Sequence, residues 1–313
     1  MPDRLMLLDT ASLYFRAFHG LPDTLRRSDG TPVNAVRGLL DMIARLVADF
    51  RPNHLVACWD DDWRPQWRVN LIPSYKAHRV AQARPNEPDL EIVPAQLEQQ
   101  LPMIRTVLGA AGIAVVGAPG FEADDVAGTY ASHAEMPVDV VTGDRDLFQL
   151  CDDERQVRVL YTARGMKNLE VMTELSVVEK YRVLPRQYAD FATLRGDASD
   201  GLPGVAGIGE KTAASLLLRY GTVERLLEAA AAPASPVAAP VRARLAAAAG
   251  YLKAAPAVVR LARDVPLPGL EDAGAALKPL PADRLRELER LAGEWNLGGS
   301  AGRLIAALSR LEQ

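Results

Sequence analysis

Cysteine is almost absent: Cys58 and Cys151 are the two in 313 residues, too few for a disulfide framework, and neither forms a CxxC pair of the kind that holds zinc. No apolar run approaches the roughly 20 residues of a membrane helix; the Leu-Met-Leu-Leu ahead of Asp9 is representative. No signal-peptide cleavage pattern follows the opening segment. These absences lead to the expectation of a soluble cytoplasmic protein with no membrane association. What is present is a composition 49% hydrophobic and 24% charged, which excludes a disordered tail and suffices for a substantial core in two domains. The net charge of −4 is unevenly spread, acidic up to about residue 173 and slightly basic beyond it. That division suits a metal site beside a phosphate-binding surface, although solvated surface alone gives imbalances of this size.

Short apolar runs with strand character at 5–8, 54–59, 113–116, 138–142 and 157–161 alternate with helical periodicity. At 36–50 Leu39, Leu40, Ile43, Leu46 and Val47 share one stripe, and 97–108 repeats the pattern. The alternation predicts an α/β class, a mostly parallel central sheet flanked by helices. Beyond residue 173 the strand signal fades and helical segments continue to Leu311, so the expected division is 1–173, α/β, and 174–313, a C-terminal helical domain. Residues 64–84 carry Arg64, Arg68, Lys76, Arg79 and Arg84 with Trp63, Trp67 and Tyr75 interleaved, followed by Pro85 and Pro88. Two readings stay open there, a basic aromatic arm over a nucleic-acid strand or a solvated loop. Residues 229–249 carry Pro233, Pro236 and Pro240 among alanines and are expected to connect helices without chemistry of their own.

The informative residues are carboxylates. Asp9, Asp60 and Asp144 each follow a predicted strand, and the carboxyl edge of an open parallel sheet is where ligands bind. Each alone has an ordinary explanation as a turn or helix-cap residue. Beside them Glu122-Ala123-Asp124-Asp125 places three acids ahead of a helical run, Asp144-Arg145-Asp146 pairs two, and Asp197-Ala198-Ser199-Asp200 two more. A helix N-terminus favours acids and accounts for one or two of the first group. Brought together, these nine groups would repel prohibitively without cations. Hard oxygen donors without His or Cys suit Mg²⁺ or Mn²⁺ rather than Zn²⁺, and a pair of such ions is an established device for hydrolysing phosphodiesters.

A glycine-rich loop follows, Gly204-Val205-Ala206-Gly207-Ile208-Gly209-Glu210-Lys211-Thr212. It misses the P-loop pattern because Glu210 separates Gly209 from Lys211 and no strand precedes it. Its other physical meaning is a turn between helices whose backbone amides approach a DNA phosphate.

Taken in order, the segments LLDTASLYFRAFHG (7–20), WDDDWRPQWRVNLIPSYKAHR (59–79), GFEADDVAGTYA (120–131), VTGDRDLFQL (141–150) and GDASDGLPGVAGIGEKTA (196–213) resemble the bacterial 5′ nucleases. That family occurs as the N-terminal part of DNA polymerase I, as stand-alone exonucleases and as relatives of flap endonucleases, and the resemblance spans about residues 5–265. It implies a PIN-like nuclease core with an arch at about 64–95 and a helix-three-turn-helix at about 195–220 in the helical domain. It implies two or three Mg²⁺ or Mn²⁺ ions held directly or through water by Asp9, Asp60, Glu122, Asp124, Asp125, Asp144, Asp146, Asp197 and Asp200. Arg16, Lys76 and Arg79 match catalytic basic residues near the scissile phosphate, and Tyr75 a residue stacking near the terminal base. Gly204, Gly207, Gly209, Lys211 and Thr212 match the DNA-binding turn, where relatives also bind K⁺. The implied function is structure-specific 5′-flap endonuclease and 5′ to 3′ exonuclease action on flap, nicked or 5′-ended duplex DNA in replication and repair, by a monomer. Departures are few: Asp61 and Asp62 follow Asp60, which is chosen because it ends the strand; Arg145 replaces the usual Lys, Ala198 a Ser and Gly201 an Asn.

Two rivals stand beside this reading. A haloacid-dehalogenase-type phosphatase would use Asp9 as nucleophile, but the second Asp it needs two residues on is Ala11, and the glycine loop goes unused. A catalytically silent DNA-junction binder would leave the retention of all nine acids unexplained.

Overall fold

The computed structural model describes residues 3–84 and 87–310; residues 1–2 of the expected core, Pro85 and Asn86 of the expected arch and residues 311–313 of the expected helical domain lie outside the described residues. The chain begins with β1 (Leu5–Asp9), which runs straight into α1 (Thr10–Gly20) because Asp9 both ends the strand and caps the helix, accepting the Ser12 N–H at 3.1 Å. Next come α2 (Asn34–Phe50), β2 (His54–Cys58), α3 (Gln66–Leu71) and a short antiparallel hairpin of β3 (Val80–Gln82) and β4 (Leu90–Glu91). Then follow α4 (Ala95–Glu98), α5 (Leu101–Ala110), β5 (Ala114–Val116), α6 (Ala123–His133), β6 (Val138–Thr142), β7 (Val157–Tyr161) and β8 (Glu170–Met172).

Among the described residues the main sheet has the order β5-β2-β1-β6-β7-β8, parallel except for the antiparallel edge strand β8. Because β2 lies on one side of β1 and β6 on the other, winding reverses there, and a crevice opens at the carboxyl ends of these two strands. Strand alternation sorts the core into two layers. Leu5 and Leu7 of β1 join Val56, Val140 and Val159 on the face covered by α6, whereas Met6 and Leu8 join Leu55, Ala57 and Leu160 on the face covered by α2.

The rest is helical: α7 (Glu174–Tyr181), α8 (Tyr188–Arg195), α9 (Glu210–Tyr220), α10 (Val223–Ala231), α11 (Ala239–Ala247), α12 (Ala249–Val259), α13 (Ala282–Glu294) and α14 (Ser300–Ser309). Tyr188, Phe191 and Leu194 of α8 and Leu217 of α9 extend the α6 layer, and Val258 and Val259 of α12 join Ile72, just past the end of α3, in a smaller apolar cluster. No helix among the described residues is long and apolar enough to cross a membrane.

Three local expectations change. The apolar run 97–108 splits into α4 and α5 because Gln100 turns its amide into the core, accepting the Ala35 N–H at 2.8 Å and so capping α2 from a distance. Residues 229–249 are not one connection, for Pro240 sits in the first turn of α11, where its missing N–H costs nothing. The edge strand β8 and the β3–β4 hairpin are too short to leave a pattern. A division at residues 173/174 also fails to describe the last two helices: α14 lies along α2 and α13 against α5, with Leu288, Leu291, Leu304 and Leu308 completing the apolar layer of the α/β part. Leu304 is fully buried there. Truncating it in Leu304→Ala is therefore expected to cost about 2–5 kcal/mol in thermal or urea unfolding; an unchanged midpoint would mean that α14 is no part of the core.

Candidate functional site

Asp9 sits at the crevice with both oxygens engaged: Ser12 donates to one and the Thr142 hydroxyl, at the end of β6, to the other at 2.6 Å. Thr142 in turn accepts the Asp144 N–H at 2.8 Å, so one threonine sets two acids relative to each other. Between them Gly143 donates its N–H to Ser12 Oγ at 2.8 Å. A side chain would not fit, because a Cβ there would lie 2.7 Å from that oxygen. Burial pushes the Asp9 carboxyl up to about 6, against the pull of the Thr142 and Ser12 hydrogen bonds.

Asp60, just past β2, accepts the Ala123 N–H at 2.7 Å and so ties the sheet edge to the start of α6. Burial lifts it to about 7. Asp124, in the first turn of α6, is driven well above the carboxylate range by burial and then by Asp9 and Asp144. Together Asp9, Asp60, Glu122, Asp124 and Asp144 line a cavity of about 200 Å³ whose wall also carries Lys76 and Arg79. Of the three successive aspartates it is Asp60 that lines this cavity; Asp61 pairs with Arg105 at 3.0 Å, and Asp62 accepts the Arg64 N–H.

Glu122 is held by cations. Its carboxylate accepts from the Tyr75 hydroxyl at 2.7 Å, from Arg68 at 3.1 Å and from the Lys76 ammonium. Asp125 faces away from the cavity: Arg68 grips both its oxygens at 2.7 Å, and the Glu122 and Ala262 N–H groups donate to it. The expected ligand Asp125 is thus placed as a fully buried partner of Arg68, docking α3 and the segment after α12 onto α6. The expected stacking residue Tyr75 is buried as well, and stacking on a base would require it to leave Glu122.

A second group of acids lies beside the first. Asp146 donates its N–H to Asp144 at 2.9 Å, while its own Oδ1 is buried with no hydrogen-bond partner. Burial and then Asp144, Asp200 and Asp197 raise its carboxyl well above the usual range. Asp200 is pushed up to about 6, chiefly by burial, with Lys76 opposing. Asp197 lines a separate cavity of about 780 Å³, ion-paired to Arg195 at 3.1 Å.

Among the described residues no three acidic, His or Cys side chains close on a single point as a bare ion demands. The donor set nonetheless suits a hard cation: the cavity walls offer carboxylate oxygens without His or Cys, several acids are held above their ordinary range, and Asp146 Oδ1 is orphaned.

The remaining expected residues are dispersed. Arg16 lies behind Gly143 and lines a neighbouring hollow of about 1020 Å³ with Arg45, Arg164 and Lys167, its Nε buried and unpartnered. Arg79 meets Glu91 at 2.9 Å. The arm reading of 64–84 gives way to an inward one, for Arg64 and Arg68 are buried in ion pairs and Trp67 donates to the Gly120 carbonyl. Gly204 is buried at φ +67 with its Cα against the backbone of Arg195 and Gly196, whereas Gly207, Gly209 and Lys211 are exposed and Thr212 is half-buried at the open start of α9. Arg68, Thr142 and Ser12 are the functional residues that sequence reasoning passed over. Ser12 at three residues beyond Asp9 has the spacing of a cap, but nothing in the sequence turns Arg68 inward.

A family model described as 5′-3′ exonuclease, N-terminal resolvase-like domain, matches residues 4–182, and one described as 5′-3′ exonuclease, C-terminal SAM fold, matches residues 183–280. A curated 5′-3′ exonuclease of Streptomyces coelicolor is 59% identical over 97% of this chain and 100% of its own length. A 5′-3′ exonuclease of Mycobacterium tuberculosis is 48% identical over 99% of this chain and 99% of its own. Among solved structures, a bacteriophage T5 flap endonuclease in complex with DNA and metal ions aligns with a TM-score of 0.62 at 17% identity, covering 98% of this chain and 99% of that one, a likeness of fold.

Two outcomes follow from the geometry. Arg68→Met strands Asp125 and Glu122 without their guanidinium and is expected to cost about 3–5 kcal/mol in urea unfolding; a loss within experimental error would mean that the pair does not organise the site. For Asp60 the folded carboxyl at about 7 lies above the ordinary 3.8, so the stability it contributes is complete below pH 3.8 and is lost as pH rises through about 7. In chelator, Asp60→Asn should match the wild-type melting temperature only at about pH 3.8 or below and gain on it steadily as pH rises, exceeding it by several degrees at pH 8; a difference flat with pH would contradict this.

Proposed function

The chain belongs to the 5′-3′ exonuclease family, and from that premise we propose that it is a structure-dependent 5′ nuclease that cuts DNA at 5′-flap, nicked or 5′-ended duplexes with the aid of divalent cations. The observation that carries this reading is the meeting of Asp9, Asp60, Glu122, Asp124 and Asp144 around one cavity at the carboxyl edge of the sheet, with Lys76 and Arg79 on its wall. In this reading Asp9, Asp60, Glu122, Asp124 and Asp144 hold Mg²⁺ or Mn²⁺, in part through water, and Asp146, Asp197 and Asp200 serve a further ion, two or three in all. Bound there, the ions would supply the Lewis-acid charge that activates water and eases departure of the 3′ oxygen, leaving 5′-phosphate and 3′-hydroxyl ends.

The chain's own residues do the rest. Lys76 and Arg79 offset the charge that accumulates on the scissile phosphate; Glu122 and Tyr75 hold the Lys76 ammonium at the cavity wall. Asp125 acts by fixing the start of α6 through Arg68. Arg16 contributes positive charge from the hollow behind Gly143. Gly207, Gly209, Lys211 and Thr212 present the uncapped amides of α9 to a phosphate of the duplex, with K⁺ at the carbonyls of the same turn, and Gly204 shapes the turn from below. The α/β part up to about residue 173, backed by the returning α13 and α14, serves as the nuclease core, with the arch in the exposed stretch of the expected 64–95 segment, and the helical segment beyond carries the helix-three-turn-helix at about 195–220. The protein works as a monomer in the cytoplasm, in replication and repair.

The test is cleavage of a 5′-flap duplex labelled separately at each end, with Mg²⁺ or Mn²⁺ and with EDTA as control. Metal-dependent cutting is expected, as flap release or as mononucleotides, and Asp144→Asn should lower turnover by at least about a hundredfold, the scale of losing one electrostatic group, while flap binding persists. Cutting in excess EDTA would overturn the mechanism, and binding without cutting in either metal would make the chain a silent junction binder.

A further inference from the structure

Asp197 differs from its neighbours Asp146 and Asp200 in having both oxygens engaged and a guanidinium paired to it. One oxygen accepts the Ser199 N–H at 2.9 Å and the Ser199 hydroxyl; the other faces the Arg195 guanidinium at 3.1 Å and the Arg145 guanidinium at 3.8 Å. A carboxylate has about four lone-pair directions; three are taken here by hydrogen bonds, and the Arg145 guanidinium stands over the remaining one at 3.8 Å. Asp146, 8% exposed, has instead a buried oxygen that no group satisfies. The acids of this second group therefore divide into one that already has a cation and others that lack one.

The arginines that occupy Asp197 line the cavity of about 780 Å³ between the acid cluster and the glycine turn, together with Ser74, Gly201 and Glu210. Arg195 is steadied by the Gly196 carbonyl at 3.0 Å, by Glu210 at 3.5 Å and by the Phe191 ring 5.1 Å beneath it; Arg145 is more exposed. Planar guanidiniums pair bidentately with phosphate as well as with carboxylate, so a phosphodiester entering this cavity competes directly with Asp197 for them.

We propose that Arg195, assisted by Arg145, is a stand-in cation that holds Asp197 in the free protein, and that a DNA phosphate in this cavity draws the guanidiniums away so that Asp197 joins Asp146 and Asp200 around a divalent ion. The inference rests on the metal-dependent nuclease reading above and adds to it that the second ion site is completed by substrate. By linkage, the ion must then tighten DNA binding by the same factor by which DNA tightens the ion. Arg195 and Arg145 are positioning residues in this scheme, acting through Asp197.

The test is a Mn²⁺ titration followed by electron paramagnetic resonance on the whole chain without DNA, comparing wild type, Arg195→Gln, Arg145→Gln and the double variant Arg195→Gln with Asp197→Asn. Arg195→Gln is expected to tighten the weakest ion by about tenfold, the worth of one charge-assisted hydrogen bond, with a smaller gain in Arg145→Gln. The gain should vanish in the double variant, and a 5′-phosphorylated nicked duplex should produce it in the wild type. Superimposable wild-type and Arg195→Gln isotherms, both showing bound Mn²⁺ on folded protein, would overturn the inference alone. If Arg195→Gln does not fold, Mn²⁺ affinity left unchanged both by Arg145→Gln and by the duplex would overturn it equally. Absence of Mn²⁺ binding in the wild type, with and without DNA, would overturn the metal-dependent reading together with it.

Discussion

The cost of taking a cluster of carboxylates out of water is the constraint around which this molecule is arranged. Asp9, Asp60, Asp124, Asp146 and Asp200 are all held above their ordinary range, with burial the first cause in each case. Folding alone would not gather such groups, since each charge taken from water costs several kcal/mol unless it is paired. The structure distributes the difficulty unevenly. Glu122 and Asp125 are paired internally by Arg68 and Lys76, and Asp197 by Arg195, whereas Asp9 and Asp60 keep only hydrogen bonds and Asp146 Oδ1 has nothing.

That unevenness separates two roles that look identical in the primary structure. Asp124 and Asp125 are adjacent, yet a helix turns successive side chains about 100° apart, so one faces the cavity and the other faces Arg68. The pair Arg68–Asp125 then fastens α3 and the chain after α12 to the helix that carries Glu122 and Asp124. A strong interior ion pair thereby fixes the start of the helix from which Glu122 and Asp124 project.

The topology supplies the meeting point. Reversal of winding between β1 and β6 brings Asp9 and Asp144 together across more than a hundred residues of sequence, with Thr142 bonded to both. The helical segment adds its own acids from the loop between α8 and α9, kept close because Gly204 lets that loop fold back onto the end of α8 with no side chain in the way. The return of α13 and α14 to the α2 face shows that the helical half is also part of the support of the sheet.

The sequence by itself determined the class of fold, the strand ends at which Asp9, Asp60 and Asp144 stand, and the family, because strand alternation, strand-end acids and glycine turns are local patterns that a chain states in order. Only tertiary structure decided that Asp125 and Tyr75 turn inward and that the cations of residues 64–79 serve interior acids more than solvent. The physical reason is that a carboxylate's role depends on which cation reaches it, and Arg68 reaches Asp125 across 57 residues, beyond the range of any periodicity.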